Sequence, residues 1–187
     1  MNPCNFQQLL DGEICLNPVN VGDAENLFSL VDQNRAYLRE WLPWLDNNRS
    51  IQDTINFIEL SQKKFDKNEA LLICIRYQNK IVGLIGFHYF DWNNRSTSIG
   101  YWLAQNFQSK GIMARSCALL VNYAFTELGL NRVEIRCAIQ NEKSRAIPEK
   151  LGFKNEGTIR DGEWLHDKFV DLVIYGMLSR EWPKKIV

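Results

Sequence analysis

The stretch Gln108-Ser109-Lys110-Gly111-Ile112-Met113-Ala114 constrains this chain more than any other. It comes after a strand-like run at residues 98–104 and opens a helical pattern that reaches Glu127. A glycine turn between a strand and a helix leaves the first backbone N–H groups of the helix without intrahelical partners. Those donors, with the positive end of the helix dipole, favour a phosphate or another anion. A single glycine in such a turn is common, so the signal gains its weight from residues further along the chain.

Upstream, Ile14-Cys15-Leu16 predicts a short first strand. Asn20 to Gly22 gives a polar lead into a helix with Ala24, Leu27, Phe28 and Val31 at helical spacing. A second helical piece runs into residues 39–45, where Pro43 stops it. Trp41, Leu42, Trp44 and Leu45 crowd this piece; they are either core packing or the wall of a substrate entrance, since Trp suits half-exposed apolar surfaces. Ser50 and Asp53 form a capping-box-like start, and Ile51, Ile55 and Ile58 carry one helical face to about Phe65. Residues 69–77 and 80–90 are apolar, β-branched runs joined by Gln78-Asn79, a hairpin signal. Apolar residues on both of their faces place them centrally in a sheet. Asp91-Trp92-Asn93-Asn94 is the next turn.

Downstream, Met113, Cys117, Leu120, Ala124 and Leu128 mark the buried stripe of the helix, which Gly129 ends. Val133, Ile135 and Cys137 alternate with Glu134 and Arg136, a half-buried strand. Residues 141–150 read as a short helix closed by Leu151-Gly152-Phe153, and the runs 153–159 and 168–178 finish the fold as a hairpin. This order is too irregular for a doubly wound parallel fold. It predicts an α+β fold, with a mixed, mostly antiparallel central sheet of about seven strands and helices on both faces. No repeat, linker or low-complexity tract interrupts residues 1–187, so a single domain is expected.

Twenty-two basic and twenty-two acidic side chains cancel, which argues against direct nucleic-acid binding. The five cysteines (4, 15, 74, 117 and 137) include no Cys-x-x-Cys pair. They read as small buried residues in a reducing cytosol, with neither a disulfide framework nor a metal site. Residues 1–8 lack the features of a signal peptide and no apolar run is long enough for a membrane span. The expected localisation is cytoplasmic.

The Gln-x-x-Gly loop, Asn141 near the end of the following strand and Leu151-Gly152-Phe153 closing the next helix resemble the GNAT acetyltransferases. The blocks Ile99-Gly100-Tyr101-Trp102-Leu103, Gln108 to Met113 and Asn141-Glu142-Lys143-Ser144-Arg145-Ala146 resemble its RimJ/RimL branch. So does the tail from Arg160-Asp161-Gly162 through Asp171-Leu172-Val173-Ile174-Tyr175. Members of that branch acetylate the N-terminal amine of ribosomal proteins. Met113, two places after the loop glycine, resembles the branch rather than the broad family; it implies a backbone N–H for the ligand and a side chain turned to the core.

The resemblance implies that acetyl-CoA binds as co-substrate where the fourth and fifth strands splay apart. Its pantetheine amides would pair with the strand edge at Tyr101, Trp102 and Leu103, where a bulge would free an N–H for the thioester oxygen. The pyrophosphate would rest on the N–H groups of residues 108–113, in the loop Gln108, Ser109, Lys110, Gly111, Ile112, Met113 and Ala114. Lys110 and Arg115 either add charge there or are simply solvated. Asn141 matches the position that fixes the pantetheine arm, and it also suits a helix N-cap. The family's tyrosine acid, seven residues after this Asn, is replaced here by Pro148. That leaves Ser144, one turn into the helix, as the hydrogen-bond donor for the sulfur.

Glu163 matches a base position of RimL-like enzymes, acting through water; as a bare residue it reads equally as a solvated carboxylate at a hairpin tip. His88 is a reserve base or a satisfied structural histidine, and with Trp41 and Trp44 it is a candidate for contact with the acceptor. No cysteine has a basic neighbour that would suggest a covalent acetyl-enzyme, so direct transfer is expected. An α-amine has a pKa of about 8 against about 10.4 for lysine, so an N-terminal acceptor needs only a modest base.

The expected function is therefore acetyl-CoA-dependent N-acetylation of a protein N-terminus, with ribosomal proteins as candidate substrates. The alternatives are a small amine acceptor (polyamine or aminoglycoside) and a non-catalytic acyl-CoA-binding module. A strongly acidic acceptor pocket would favour the small amine, and an apolar groove near Trp41 and Trp44 a peptide. The resemblance also suggests a homodimer.

Overall fold

The computed structural model describes residue 6 and residues 8–183; Cys4 and most of the N-terminal stretch read for a signal lie outside the described residues. The strands are β1 (Leu9–Asp11), β2 (Ile14–Pro18), β3 (Leu71–Tyr77), β4 (Lys80–Asp91), β5 (Ser96–Leu103), β6 (Arg132–Ala138), β7 (Lys154–Leu165) and β8 (Lys168–Leu178). They form one sheet in the order β1-β2-β3-β4-β5-β6-β8-β7. The helices are α1 (Ala24–Gln33), α2 (Arg35–Arg39), α3 (Ile51–Asp66), α4 (Ile112–Thr126) and α5 (Glu142–Lys150). Neighbouring strands are antiparallel except β5 and β6, which run parallel. A parallel pair needs a crossover connection, and α4 supplies it.

Helices cover both faces, as the element order predicted. On one face Leu27 and Val31 of α1, Leu38 of α2 and Ile58 of α3 pack with Cys74, Leu84 and Trp102. On the other, Cys117, Leu120 and Ala124 of α4 pack with Ile73, Ile75, Ile85 and Ile99. Successive residues of β3 and β4 thus go to opposite layers, which is why both strands read as continuous apolar runs. Gln78 and Asn79 carry φ of 49° and 65°, the left-handed pair that matches the twist of a two-residue hairpin. Helix α3 starts as expected: Ser50 Oγ accepts from the Asp53 N–H at 3.2 Å, and Asp53 accepts from the Ser50 N–H at 2.8 Å.

Three local expectations shift. β1 joins the seven strands read from the sequence, being too short for alternation to register. The helical piece expected to run on to Pro43 ends at Arg39, and a 3-10 turn comes next at Leu45–Asn47. Arg35 causes the fold-back: its guanidinium donates to the carbonyls of Leu45 at 3.1 Å and Asn48 at 2.9 Å.

The third shift concerns β7, which continues past residue 159 to Leu165. Ile159 pairs with Leu172 and Glu163 with Val170, so residues 160–162 form a bulge. Asp161 sits there at φ 50° and its N–H donates to Asp171 Oδ1 at 2.9 Å. The hairpin turns at His166-Asp167, and Glu163 lies within the strand rather than at the tip.

Candidate active site

β5 and β6 pair only from Ser96 with Arg132 to Ile99 with Ile135. Beyond that point β5 stays with β4 and β6 stays with β8, so a gap opens between residues 100–103 and 136–138. The Ala104 N–H bonds to the Val82 carbonyl at 2.8 Å. Bonded residues alternate along an antiparallel ladder, so the amides of Tyr101 and Leu103 point away from β4 and into the gap. They form the strand edge expected for an amide-bearing ligand. The bulge expected here lies elsewhere: pairing is regular at residues 101–103 and shifts between Phe87 and Phe90 of β4. Divergence of β6, not an inserted residue, frees the amides. The side chains of Trp102 and Leu103 are buried, and by the same alternation the Trp102 backbone bonds to Leu84 of β4, so of these two only Leu103 offers its amide to the gap.

At the end of β5 the glycine loop turns into α4. Gly111 adopts φ 74°, in the left-handed region that a glycine enters without strain. The Arg115 N–H donates to the Gly111 carbonyl at 3.0 Å and closes the first helical turn. The N–H groups of Ile112, Met113 and Ala114 precede any intrahelical bond, and these residues line the cavity. The Met113 side chain is buried in the core.

Two members of the expected anion cradle are engaged elsewhere. The Gln108 N–H bonds to the Gln105 carbonyl at 3.2 Å. Arg115 pairs with the Asp11 carboxylate and donates to its carbonyl at 2.7 Å, which holds the Asp11 carboxyl below its ordinary range. Lys110 Nζ lies 5.3 Å from the centroid of the Phe107 ring. Lys143 reaches from α5 to Gln108 Oε1 at 3.2 Å and stands 5.6 Å over the Tyr37 ring. Sequence reasoning missed Lys143, because only the fold brings α5 beside the loop.

Asn141 caps α5, its Oδ1 accepting from the Ser144 N–H at 3.1 Å. Ser144 Oγ lies 3.2 Å from Cys137 Sγ on β6. Pro148 stands four residues after Ser144 and has no N–H, so the Ser144 carbonyl loses its helical donor. The Tyr101 hydroxyl takes that place, donating to the carbonyl at 2.8 Å. A side chain of the strand edge thus fastens α5 across the gap and fixes Ser144. Burial pushes the Tyr101 hydroxyl well above its ordinary pKa, which keeps it a donor. Burial also pushes the Cys137 thiol up, and a protonated thiol is a poor nucleophile.

A cavity of about 840 Å³ joins the gap to a second compartment. Glu163 lines it half-buried, and desolvation alone raises its carboxyl above the usual value. Such a shift suits a proton acceptor working near neutral pH. His88 sits at the irregularity of β4 and covers Gly100, where a Cβ would collide with its Nε2. Burial, followed by the charges of Arg136 and Lys64, lowers the His88 pKa and keeps the ring neutral at pH 7. Trp41 packs against Leu165, Val170 and Leu172, while Trp44 is more exposed; both line the cavity.

Among the described residues lining this space, Glu163 is the one carboxylate, against Lys64, Arg136, Lys143 and Lys150. No group of three His, Cys, Asp or Glu among the described residues could hold a metal ion. No described helix is long and apolar enough to cross a membrane.

The acetyltransferase (GNAT) domain family matches residues 13–154. Over 163 residues the chain is 41% identical to YdaF of Bacillus subtilis (strain 168), named a candidate ribosomal N-acetyltransferase, covering 86% of this chain and 88% of that one. The solved RimL ribosomal L7/L12 alpha-N-protein acetyltransferase in complex with coenzyme A has a TM-score of 0.88 at 25% identity, covering 91% of this chain and 96% of that one. The microcin C7 self-immunity acetyltransferase MccE, solved with acetyl-CoA and AMP, has a TM-score of 0.87 at 32% identity, covering 90% and 93%.

Proposed function

The chain belongs to the GNAT acetyltransferase family and is an acetyl-CoA-dependent N-acetyltransferase, and from that premise we propose that its acceptor is the N-terminal α-amine of a protein, ribosomal proteins foremost. The observation that carries this reading is the acceptor compartment, with one half-buried carboxylate among apolar rings and cations. A polyamine or aminoglycoside would bring several positive charges to Lys64 and Arg136. A single α-amine needs only Glu163. The apolar wall at Trp41 and Trp44 suits a peptide, and the identity to YdaF points the same way.

In this reading Glu163 takes the amine proton through a water. The neutral amine attacks the thioester carbonyl; the C–N bond forms, the C–S bond breaks, and the departing coenzyme A thiolate takes the proton that the acylated nitrogen sheds, leaving as the free thiol. The amide of Tyr101 or Leu103 holds the carbonyl oxygen as its charge grows. Ser144 Oγ donates to the departing sulfur. The amides of residues 112–114 bind the pyrophosphate, and Asn141 Nδ2, which takes no partner among the described residues, serves the pantetheine arm. Holding amine and thioester together supplies much of the rate.

A second reading is favoured by the MccE complex with acetyl-CoA and AMP: an amine carried on a nucleotide. Mass spectrometry of reactions with N-terminal peptides, spermidine and an aminoglycoside side by side separates the acceptor classes. Acetylated peptides are expected. Acetylated spermidine with unmodified peptides would overturn the assignment.

A further inference from the structure

We propose that His166 is a positioning residue for the transfer: it seats the tip of the β7–β8 hairpin on the end of α2 and thereby holds Glu163 at the reacting amine. The proposal rests on the reading of Glu163 as the base. β8 pairs with β6 only as far as Leu172 with Ala138, and one further bond, from the Ile139 N–H to the Asp171 carbonyl at 2.9 Å, ends that contact. Beyond the bulge at residues 160–162 the hairpin has three pairs of its own: Glu163 with Val170, Trp164 with Phe169 and Leu165 with Lys168. The base is therefore carried on a short two-stranded ribbon that projects past the rest of the sheet. Such a ribbon is marginally stable by itself, so what it leans on decides where Glu163 stands.

It leans in two places. Leu165, on the same face as Glu163, packs with Val170, Leu172 and Ala138 against Trp41. Apolar contact is non-directional and leaves the ribbon free to slide. The second place is directional: His166 Nε2 bonds to the carbonyl of Arg39, the last residue of α2. A carbonyl only accepts, so Nε2 carries the proton. The helical bonding after α2 reaches the Leu42 N–H on the Leu38 carbonyl at 3.0 Å. The next donor, for the Arg39 carbonyl, would come from residue 43, and Pro43 has no N–H. His166 fills that place, much as Tyr101 does for the Ser144 carbonyl opposite Pro148.

The ring is held on its other side as well. Its side chain is only 15% exposed, with Nδ1 3.5 Å from Asp46 Oδ2. Asp46, in the 3-10 turn, is itself gripped by Arg39 through Nε at 2.9 Å and Nη2 at 2.9 Å. The end of α2, the 3-10 turn and the hairpin tip thus meet at one imidazole. The Asp161 N–H on Asp171 Oδ1 fixes the near end of the ribbon and His166 the far end, with Glu163 between them. A misplacement of about 1 Å can cost about a hundredfold in rate. A ribbon freed at its tip should therefore lose turnover while the cofactor site stays whole.

The test follows acetylation of an alanine-initiated peptide at saturating acetyl-CoA, for His166→Asn and His166→Gln, each alone and combined with Glu163→Gln. Asn accepts the φ of 59° at this position, but its amide is one bond shorter than the path to Nε2 and stops short of the Arg39 carbonyl. The Gln amide reaches it. His166→Asn is expected to lower kcat about tenfold, and His166→Gln to recover most of that loss. With Glu163→Gln already present, His166→Asn should change kcat by less than about twofold, because a residue that acts through Glu163 has nothing left to position. Coenzyme A affinity should stay the same throughout; its loss would make His166 a support of the whole fold and overturn the proposal. A normal kcat for His166→Asn beside a slow Glu163→Gln would overturn it and leave the base standing. Equal losses in both backgrounds, or a Gln variant as slow as the Asn variant, would overturn it too. A Glu163→Gln enzyme of normal rate would remove the base and this proposal together, and a wild type inert toward the peptide would remove the acceptor reading with it.

Discussion

Glu163 carries the proton in the proposed transfer, and its surroundings make a sharp expectation. Burial raises its carboxyl above the ordinary value, so the carboxylate needed as base forms at higher pH than a solvated one. The rising limb of kcat/KM against pH should contain this carboxyl as well as the acceptor amine near about 8. Glu163→Gln should cost about a hundredfold or more in kcat, keep coenzyme A affinity and leave only the amine limb. A normal rate would clear Glu163. Ser144→Ala should lower kcat by no more than about tenfold, since one hydrogen bond is worth about 0.5–1.5 kcal/mol; an unchanged kcat would remove its role at the sulfur. The position of Glu163 was legible through the motif resemblance, but its burial was not. The bulge at residues 160–162 sets it, and period-two reading along the strand cannot see an inserted pair. His88 was equally ambiguous until Gly100 was found beneath it.

At the scale of elements, the union of β5 with α5 and the start of α4 decide whether the gap is a site. Tyr101→Phe leaves the Ser144 carbonyl without its donor, at a cost of about 1–3 kcal/mol and several degrees in Tm. Pro148→Ala restores a helical N–H to the same carbonyl. In that background Tyr101→Phe should cost less, a coupling that a double-mutant cycle reads directly; simple additivity would refute the fastening. Gly111 tests the loop. Asn tolerates the left-handed region about as well as Asp does, so Gly111→Asn and Gly111→Asp share their strain and differ in charge. Coenzyme A should bind the Asp variant far more weakly than the Asn variant, and equal affinities would take the phosphates away from α4. The helix start was legible in its glycine. The divergence of β5 from β6 was not, because register is fixed by partners far along the chain.

For the whole molecule, the layering was legible because apolar periodicity reports which face of each element is buried. The acceptor compartment was only half legible. Trp41 and Trp44 announced an aromatic wall, whereas Phe57, Lys64 and Arg136 join it from α3 and β6, and no local pattern marks them. Coenzyme A at a hundred times its Kd should stabilise the fold by about 2.7 kcal/mol, a rise of about 5–10 °C in Tm; a Tm that stays put at saturating ligand would speak against tight binding to the native state. Where it binds is read most directly by amide hydrogen exchange with and without coenzyme A. The amides of Tyr101, Leu103 and residues 112–114 should exchange more slowly in the complex. If these five keep their rates while protection appears elsewhere, the cofactor does not occupy the gap between β5 and β6.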